Sequence, residues 1–401
     1  MPTVTLVSFA GRGGAGDDLA LHGTVQALRE LSPDASLTAV VAAPDGVRAF
    51  LDPAVRLVEG PLRTLGATGA ATSGALRGRR TAHAAERMLD AALAGGDAPA
   101  PIREAVEAAG SSDLVLLLGS GYLSDRRPLE LLAAGMLAEA ARRRGVRYAL
   151  FGHSVGPFER GGPLPRARRL LEGAERIAIR EPRSSWEVGA LLRGRSADLL
   201  GDPAFLLPRA GPAAEWPARI LANFRGVTRL VEYRKAPDEP GLTLADGVYM
   251  VARQLRADVS YVEAGTPPAW DDRAGNEVID RGVLPAVERG PRFAPTAGGP
   301  ALPPAAVAVS TVPELCAWAL ANGLPAVGVA LTPHDRHELR GLMELFQRPD
   351  WVWVPEAEFG IFDLSGRAVQ AANDPNRAEL HEIADGLAVK QRAWLASLVS
   401  S

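Results

Sequence analysis

Between residues 113 and 208 the chain repeats one pattern, a short apolar run that stops abruptly at glycine or charge. Asp113-Leu114-Val115-Leu116-Leu117-Leu118 gives way to Gly119-Ser120-Gly121-Tyr122-Leu123-Ser124-Asp125. Arg147-Tyr148-Ala149-Leu150-Phe151 gives way to Gly152-His153-Ser154-Val155-Gly156-Pro157, and Ile177-Ala178-Ile179 runs straight into Arg180-Glu181. A further strand candidate is Asp198-Leu199-Leu200-Gly201-Asp202-Pro203-Ala204-Phe205-Leu206-Leu207. Runs that are apolar on both faces fit strands covered on both sides, hence a parallel sheet rather than an antiparallel one with a wet face. Helical patterns over 129–144 and about 165–173 separate the runs, so the connections read as right-handed crossovers. Ligands of such sheets collect at the carboxyl ends of the strands, which is where the glycines and charges stand.

The segments Leu118-Gly119-Ser120-Gly121, Gly152-His153-Ser154-Val155-Gly156-Pro157, Ile179-Arg180-Glu181-Pro182-Arg183-Ser184-Ser185 and Gly201-Asp202-Pro203-Ala204-Phe205-Leu206-Leu207 together resemble the polysaccharide pyruvyl transferase family. That family carries a glycine triplet, a GQGIGP-like loop, a VRDxxS turn and a DPAFLL segment in this order and spacing. The bland alternative is an anonymous doubly wound domain with glycine-rich turns. The resemblance implies a GT-B-like fold. It also implies transfer of the enolpyruvyl skeleton of phosphoenolpyruvate to a sugar as a cyclic ketal, with release of phosphate.

The first strand, Val4 to Phe9, feeds Gly11-Arg12-Gly13-Gly14-Ala15-Gly16-Asp17-Asp18, and a helix is expected from about residue 19 to 31. Such a loop can offer backbone N–H groups to an anion or hydroxyl, or it can be a tight turn with Asp17 or Asp18 as N-cap. The glycine spacing is not that of a dinucleotide fingerprint. The family's first loop ends in Gly-Asp, so the resemblance implies that Gly13, Gly14, Gly16 and Asp17 contribute to acceptor binding. Strands are expected at 37–42 and 55–58. The stretch 61–82 reads as an irregular excursion whose Arg77, Arg79 and Arg80 are either solvated or touch phosphate.

The Pro/Ala-rich stretch 208–217 is the best boundary, giving an N-terminal Rossmann-like domain over 1–208 and a C-terminal one over 209–401. The second strand-helix series runs through 219–224, 244–255, 259–262, 306–309, 313–322 and 326–331. Two doubly wound α/β domains whose carboxyl-end loops line an interdomain cleft are GT-B-like in architecture. A stripe through Leu380, Ile383, Leu387, Trp394, Leu395 and Leu398 marks residues 377–399 as an amphipathic terminal helix that crosses back over the junction.

The length of 401 residues at 47% apolar content suffices for two packed cores. A net charge of −3 supplies no basic field, which argues against nucleic acid as a partner. No uncharged apolar run reaches the roughly 18 residues of a membrane span. The single cysteine, Cys316, cannot form an internal disulfide, and the chain starts directly with a strand, so the expectation is a cytoplasmic protein. Its six histidines and one cysteine show no ligand spacing, so neither a metal held by side chains alone nor a cofactor is expected. Self-association into a homo-oligomer is left open.

Pyruvyl transfer needs cations for a phosphate and a carboxylate, a proton for the vinyl carbon, and a base for the acceptor hydroxyl. Arginine suits the first task through its bidentate fork. Arg180 matches the family's VRD arginine, with a salt bridge to Glu181 or Asp202 as the competing reading, and Arg183 comes next. His153 stands where the family has glutamine, either as acid or base or as a loop cap. Gly119, Ser120 and Gly121 are expected to bind substrate. Arg225, Arg234 and Lys235 follow the first strand of the second domain and add charge or are simply exposed.

One departure is plain. The family's Arg-Leu-His motif falls on Val312-Pro313-Glu314, so both cations are gone. Thr311 and Glu314 instead read as a capping box at the start of a helix. A carboxylate there repels an anionic donor; His334, Asp335, Arg336 and His337 could rebuild the anion site, or Glu314 could serve as a base. Three readings compete: a pyruvyl transferase with a remodelled donor site, a relative that uses a nucleotide sugar, and a non-catalytic member that kept the fold.

Overall fold

The computed structural model describes residues 1–68, 74–159, 162–209, 215–227, 240–265, 272–282, 302–355 and 361–400. The chain divides into two compact units. The first comprises Met1–Arg12, Asp17–Leu206 and Lys390–Ser401, and the second Gly13–Gly16 and Leu207–Val389.

The first unit is built on β1 (Thr3–Val7), β2 (Ser36–Val41), β3 (Arg56–Glu59), β4 (Leu114–Leu118), β5 (Arg147–His153), β6 (Ile177–Ile179) and β7 (Asp198–Leu199). They form one sheet in the order β3-β2-β1-β4-β5-β6-β7, with parallel pairing throughout. The order reverses between β1 and β4, which register Val4 against Leu114 and Val7 against Leu117. That reversal opens the crevice where doubly wound sheets bind their ligands.

Alternation explains why β4 is apolar at every position. Leu114, Leu116 and Leu118 enter a core shared with α1 (Ala15–Leu31), while Val115 and Leu117 enter the opposite core with α5 (Ala100–Gly110) and α6 (Pro128–Arg143). Short α2 (Pro44–Val47), α3 (Leu62–Thr68), α4 (Gly74–Leu93), α7 (Leu164–Gly173) and α8 (Pro182–Leu191) complete the helices of this unit.

Two expectations change here. The stretch 61–82 contains α3 and the start of α4 rather than irregular chain, because Leu65 anchors α3 and Ala84, Ala85 and Leu89 anchor α4 on the core. The piece 198–207 is strand only at Asp198–Leu199; Pro203–Leu206 turns into a buried 3-10 helix.

The second unit holds β8 (Arg219–Asn223), β9 (Asp258–Tyr261), β10 (Val307–Ser310), β11 (Ala326–Val329) and β12 (Val352–Trp353), all parallel, in the order β12-β11-β10-β8-β9. The reversal lies between β8 and β10. Its helices are α9 (Pro240–Leu255), α10 (Asp272–Gly282), α11 (Pro313–Ala321), α12 (Pro333–Leu345), α13 (Ile361–Ala372) and the greater part of α14 (Arg377–Val399). From Lys390 onward α14 belongs to the first unit, where Trp394, Leu395 and Leu398 join the α1 side of the core. Among the described residues no helix is long and apolar enough to cross a membrane.

Candidate functional site

At the carboxyl ends of β4, β5 and β6 the first unit gathers a buried polar cluster. Two glycines make the loops fit. A Cβ at Gly119 would lie 1.7 Å from the Gly152 carbonyl oxygen, and Gly152 itself has φ of +73°. Gly119 N–H donates to Phe151 O at 2.7 Å, which locks the first loop to the second. Only glycine tolerates both the close approach and the left-handed backbone.

Arg180 leaves β6 buried. Its Nε and Nη2 donate to Ser154 Oγ at 2.9 and 2.6 Å, and its Nη1 donates to Asp202 at 3.2 Å. Ser154 Oγ in turn reaches Glu181 Oε2 at 3.1 Å, and Ser184 bonds the other Glu181 oxygen while accepting Val155 N–H at 2.7 Å. One guanidinium therefore faces two buried carboxylates, and the loops after β5, β6 and β7 are tied into one network. A buried pair of this kind is costly to break from either side, because the remaining charge is stranded.

His153 lies beside this network and is completely buried. Its Nε2 is 2.6 Å from the Tyr122 hydroxyl, the two rings meet edge to face at 4.9 Å, and Phe9 packs on Tyr122 at 5.1 Å. Burial, helped by the Arg180 charge, pushes the imidazole down to about 3, so it is neutral at physiological pH. Burial likewise drives the Tyr122 phenol upward, with the Asp17 carboxylate adding to the effect.

The first turn of α1 contributes Asp18, which is buried and accepts the N–H of Gly11 in the loop after β1 at 2.7 Å. Burial, with the Asp17 carboxylate adding to it and the Gly11 bond and Arg12 opposing it, raises its carboxyl to about 7. Neither Asp17 nor Asp18 is the N-cap that the tight-turn alternative offered, since α1 already starts at Ala15 and both lie in its first turn. Arg12 bridges Glu130 at 3.2 Å and stands 4.0 Å from Asp17. Ser120 is buried and accepts from Arg127 Nη1 at 3.5 Å; Gly121 O accepts from Ser124. Arg183 is half-buried in the first turn of α8.

The second unit has its own cluster, at the reversal between β8 and β10. Asp272 at the start of α10 is wholly buried. It accepts from Arg225 Nε at 2.6 Å, Asn223 Nδ2 at 2.8 Å and Ala264 N–H at 2.8 Å. Asn276 Oδ1 accepts Phe224 N–H at 2.8 Å. Thr311 does not cap α11 as the T-x-x-E pattern suggested. Its hydroxyl accepts Arg225 N–H at 2.6 Å and donates to Arg225 O at 3.2 Å, while Val312 takes the N-cap position with no side-chain bond.

Glu314 stands half-buried in the first turn of α11. Within this unit Gly14 bridges Gly265, Ala15 N–H donates to Ala264 O, and a Cβ at Gly16 would meet Glu314 Cγ at 2.3 Å. His334 turns to Glu338 on its own helix, at 3.3 Å, and Thr332 caps α12 through Asp335 N–H. Cys316 is a core thiol, pushed up to about 12 by burial. Arg234 and Lys235 lie outside the described residues. Among the described residues no cluster of three or more His, Cys, Asp or Glu could hold a metal ion.

Sequence reasoning did not single out Tyr122, Ser154 or the Asn223–Asp272 pair, and it read Asp18 only as a cap. Tyr122 carried a signal, since it directly follows Gly119-Ser120-Gly121. Asp272 carried only its place in an acidic loop.

Two parallel doubly wound sheets, each with polar side chains crowded at the strand ends near its reversal, give the chain a GT-B-like fold. Solved structures agree on the fold. Similar in architecture are a UGT transferase from Siraitia grosvenorii in complex with UDP (11% identity, all of both chains covered, TM-score 0.58) and a UDP-GlcNAc 2-epimerase from Neisseria meningitidis bound to UDP-GlcNAc (10%, 98% of this chain and 99% of that one, 0.53). A glycosyltransferase from Rickettsia africae is another (10%, 99% and 96%, 0.52). Among curated proteins none matches the chain. The profile of the polysaccharide pyruvyl transferase family matches residues 15–244, more than half of the chain, and the protein belongs to that family.

Proposed function

We propose that this protein is a transferase of the pyruvyl transferase type, moving a group from an anionic donor, phosphoenolpyruvate in the family, to hydroxyls of a sugar or related acceptor. The observation that carries this reading is the family match over 15–244, which runs through the polar strand ends of the first sheet from Gly16 and Asp17 to Asp202. In this reading the Gly13-Gly14, Gly16-Asp17 and Gly119-Ser120-Gly121 loops hold the acceptor. Arg180 and His153 are bonded inward, so they act as positioning groups that keep the Ser154 and Tyr122 loops in place. This reading assigns Arg183, Arg225, Arg234 and Lys235 to a phosphate or carboxylate, with Arg225 held by Asp272, and gives His334 and Glu314 to proton transfer.

A second reading has one specific observation behind it. Glu314 occupies the place of the family's Arg-Leu-His motif in the first turn of α11. A carboxylate there repels a phosphorylated enol but can accept bonds from ribose hydroxyls, and two of the similar structures were captured with UDP or UDP-GlcNAc. That favours a nucleotide-sugar donor.

Thermal shift of the full chain with phosphoenolpyruvate and with UDP-sugars separates the two, since a ligand at a hundred times its dissociation constant adds about 2.7 kcal/mol. Stabilisation by phosphoenolpyruvate, with phosphate released on adding a sugar acceptor, supports the first reading. Stabilisation by a UDP-sugar alone supports the second. A response to neither would sink both.

A further inference from the structure

Away from the strand ends, the first unit carries a cavity of about 350 Å³ between α4, α6 and α7. Its size falls at the lower end of small-molecule sites and equals roughly a dozen waters at about 30 Å³ each. The floor is apolar, formed by Leu89, Leu132, Met136 and Leu170 with the ring of Tyr148, whose hydroxyl is spent on Leu170 O at 2.8 Å.

The charge around it is uneven. Glu139 is fully used by its own helix, accepting from Arg142 at 2.7 Å and from Arg143 at 2.8 Å, and Arg143 also reaches Asp90 at 2.6 Å. Those arginines hold the Glu139 carboxyl down at about 2. The side chains of Arg166 and Arg169, one turn apart on α7, have no hydrogen-bond or ion-pair partner among the described residues. The Arg166 stem runs along Gly135, a position where a side chain would touch its Cγ at 3.7 Å, so the guanidinium is half-buried over the apolar floor. Burial draws its pKa downward, and Glu86 is the carboxylate whose field opposes this. A guanidinium in such a place, unpaired and partly dry, is suited to a bidentate bond with an anionic oxygen pair.

We propose that this cavity binds a single-chain amphiphilic phosphate or carboxylate, its alkyl or aryl body on the Leu132–Met136–Leu170 floor and its anionic head on Arg166. Arg169 at the rim adds a second cation. The site is separate from the transferase reading, so it stands or falls on its own measurement.

Calorimetric titration of the full chain with octyl phosphate, kept below its micelle concentration, tests it. The expected result is one site per chain, weakened at least tenfold in Arg166→Gln and in the cavity-filling Gly135→Leu, with both variants retaining the helical circular dichroism of the parent. Inorganic phosphate and 1-octanol should each bind at least tenfold more weakly. Equal binding of inorganic phosphate, equal binding of octanol, or an unchanged Arg166→Gln affinity would overturn the proposal. So would binding to phosphatidylglycerol vesicles with none to monomeric octyl phosphate, which would assign the arginines to a membrane surface.

Discussion

His153 and Asp18 are both buried titratable residues, and their linkage to folding runs in opposite senses. For His153 the folded pKa, about 3, lies below the ordinary 6.5, so between these values the unfolded chain binds more protons. Stability is then full above about pH 6.5 and falls as the pH drops toward 3, by at most about 1.4 kcal/mol per pH unit. For Asp18 the folded pKa of about 7 lies above the ordinary 3.8, so the folded chain binds more protons in that window. Its contribution is present below about pH 3.8 and is lost as the pH rises through 7. Asp18→Asn retains an acceptor for Gly11 N–H and removes the titration. The variant should therefore gain on the parent between pH 5 and 7 in thermal midpoint, with a constant difference above that. His153→Gln keeps a partner for Tyr122 and should lose the steep acid side. If both variants run parallel to the parent from pH 4 to 8, the burial assigned to these groups is wrong.

At the scale of elements, the loop-to-loop contact after β4 and β5 makes a sharper claim. Gly119→Ala must displace the Gly152 backbone, since its Cβ would stand 1.7 Å from that carbonyl oxygen. The cost should reach several kcal/mol, of the order of other strained or overpacked core changes. Gly189 in α8 has open space where a Cβ would stand, with nothing within 4 Å, so Gly189→Ala should stabilise by up to about 1 kcal/mol through helix propensity. Urea unfolding midpoints that move the same way in both would contradict this assignment. The strands behind these loops were legible because β4, β5 and β6 are apolar on both faces and end at hard stops. Helices α3 and α4 were not, because the stretch 61–82 is Gly-, Ala- and Arg-rich with weak periodicity, and the buried stripe of α4 at Thr81, Ala84, Ala85, Leu89 and Ala92 is made mostly of small residues. The capping box at Thr311 failed for a tertiary reason, since its hydroxyl finds the Arg225 backbone next to β8 before it can reach α11. The His153–Tyr122 pair was invisible for the same kind of reason. Its partner lies on the neighbouring strand's loop, and only the β4–β5 pairing brings the two rings together.

At the scale of the whole molecule, the chain's last helix decides how the first unit is completed. The apolar stripe of α14 was readable at period 3.6, but which residues serve which core was not, because that depends on where the helix passes from one unit to the other at Lys390. Past that point Trp394 stacks on Phe151 at 5.3 Å with rings 17° apart, carries the Arg176 guanidinium 4.9 Å from its ring centre, and donates Nε1–H to Asp198 at 2.7 Å. Gln391 donates to the carbonyls of Leu200 and Asp202 at 2.8 and 2.9 Å, so the same helix holds the segment that presents Asp202 to Arg180. Trp394→Ala should cost about 3 to 5 kcal/mol from lost burial and the cavity left behind. Trp394→Phe keeps the stack and loses the indole bond, so about 1 kcal/mol is expected. Gln391→Leu strands two buried carbonyls and should cost about 1 to 3 kcal/mol, and by loosening the Asp202 turn it should also lower transfer activity where Trp394→Phe does not. Thermal unfolding of the three variants, read beside their turnover, checks the order. A Trp394→Ala chain that melts with the parent would show that the sheet of the first unit closes without α14.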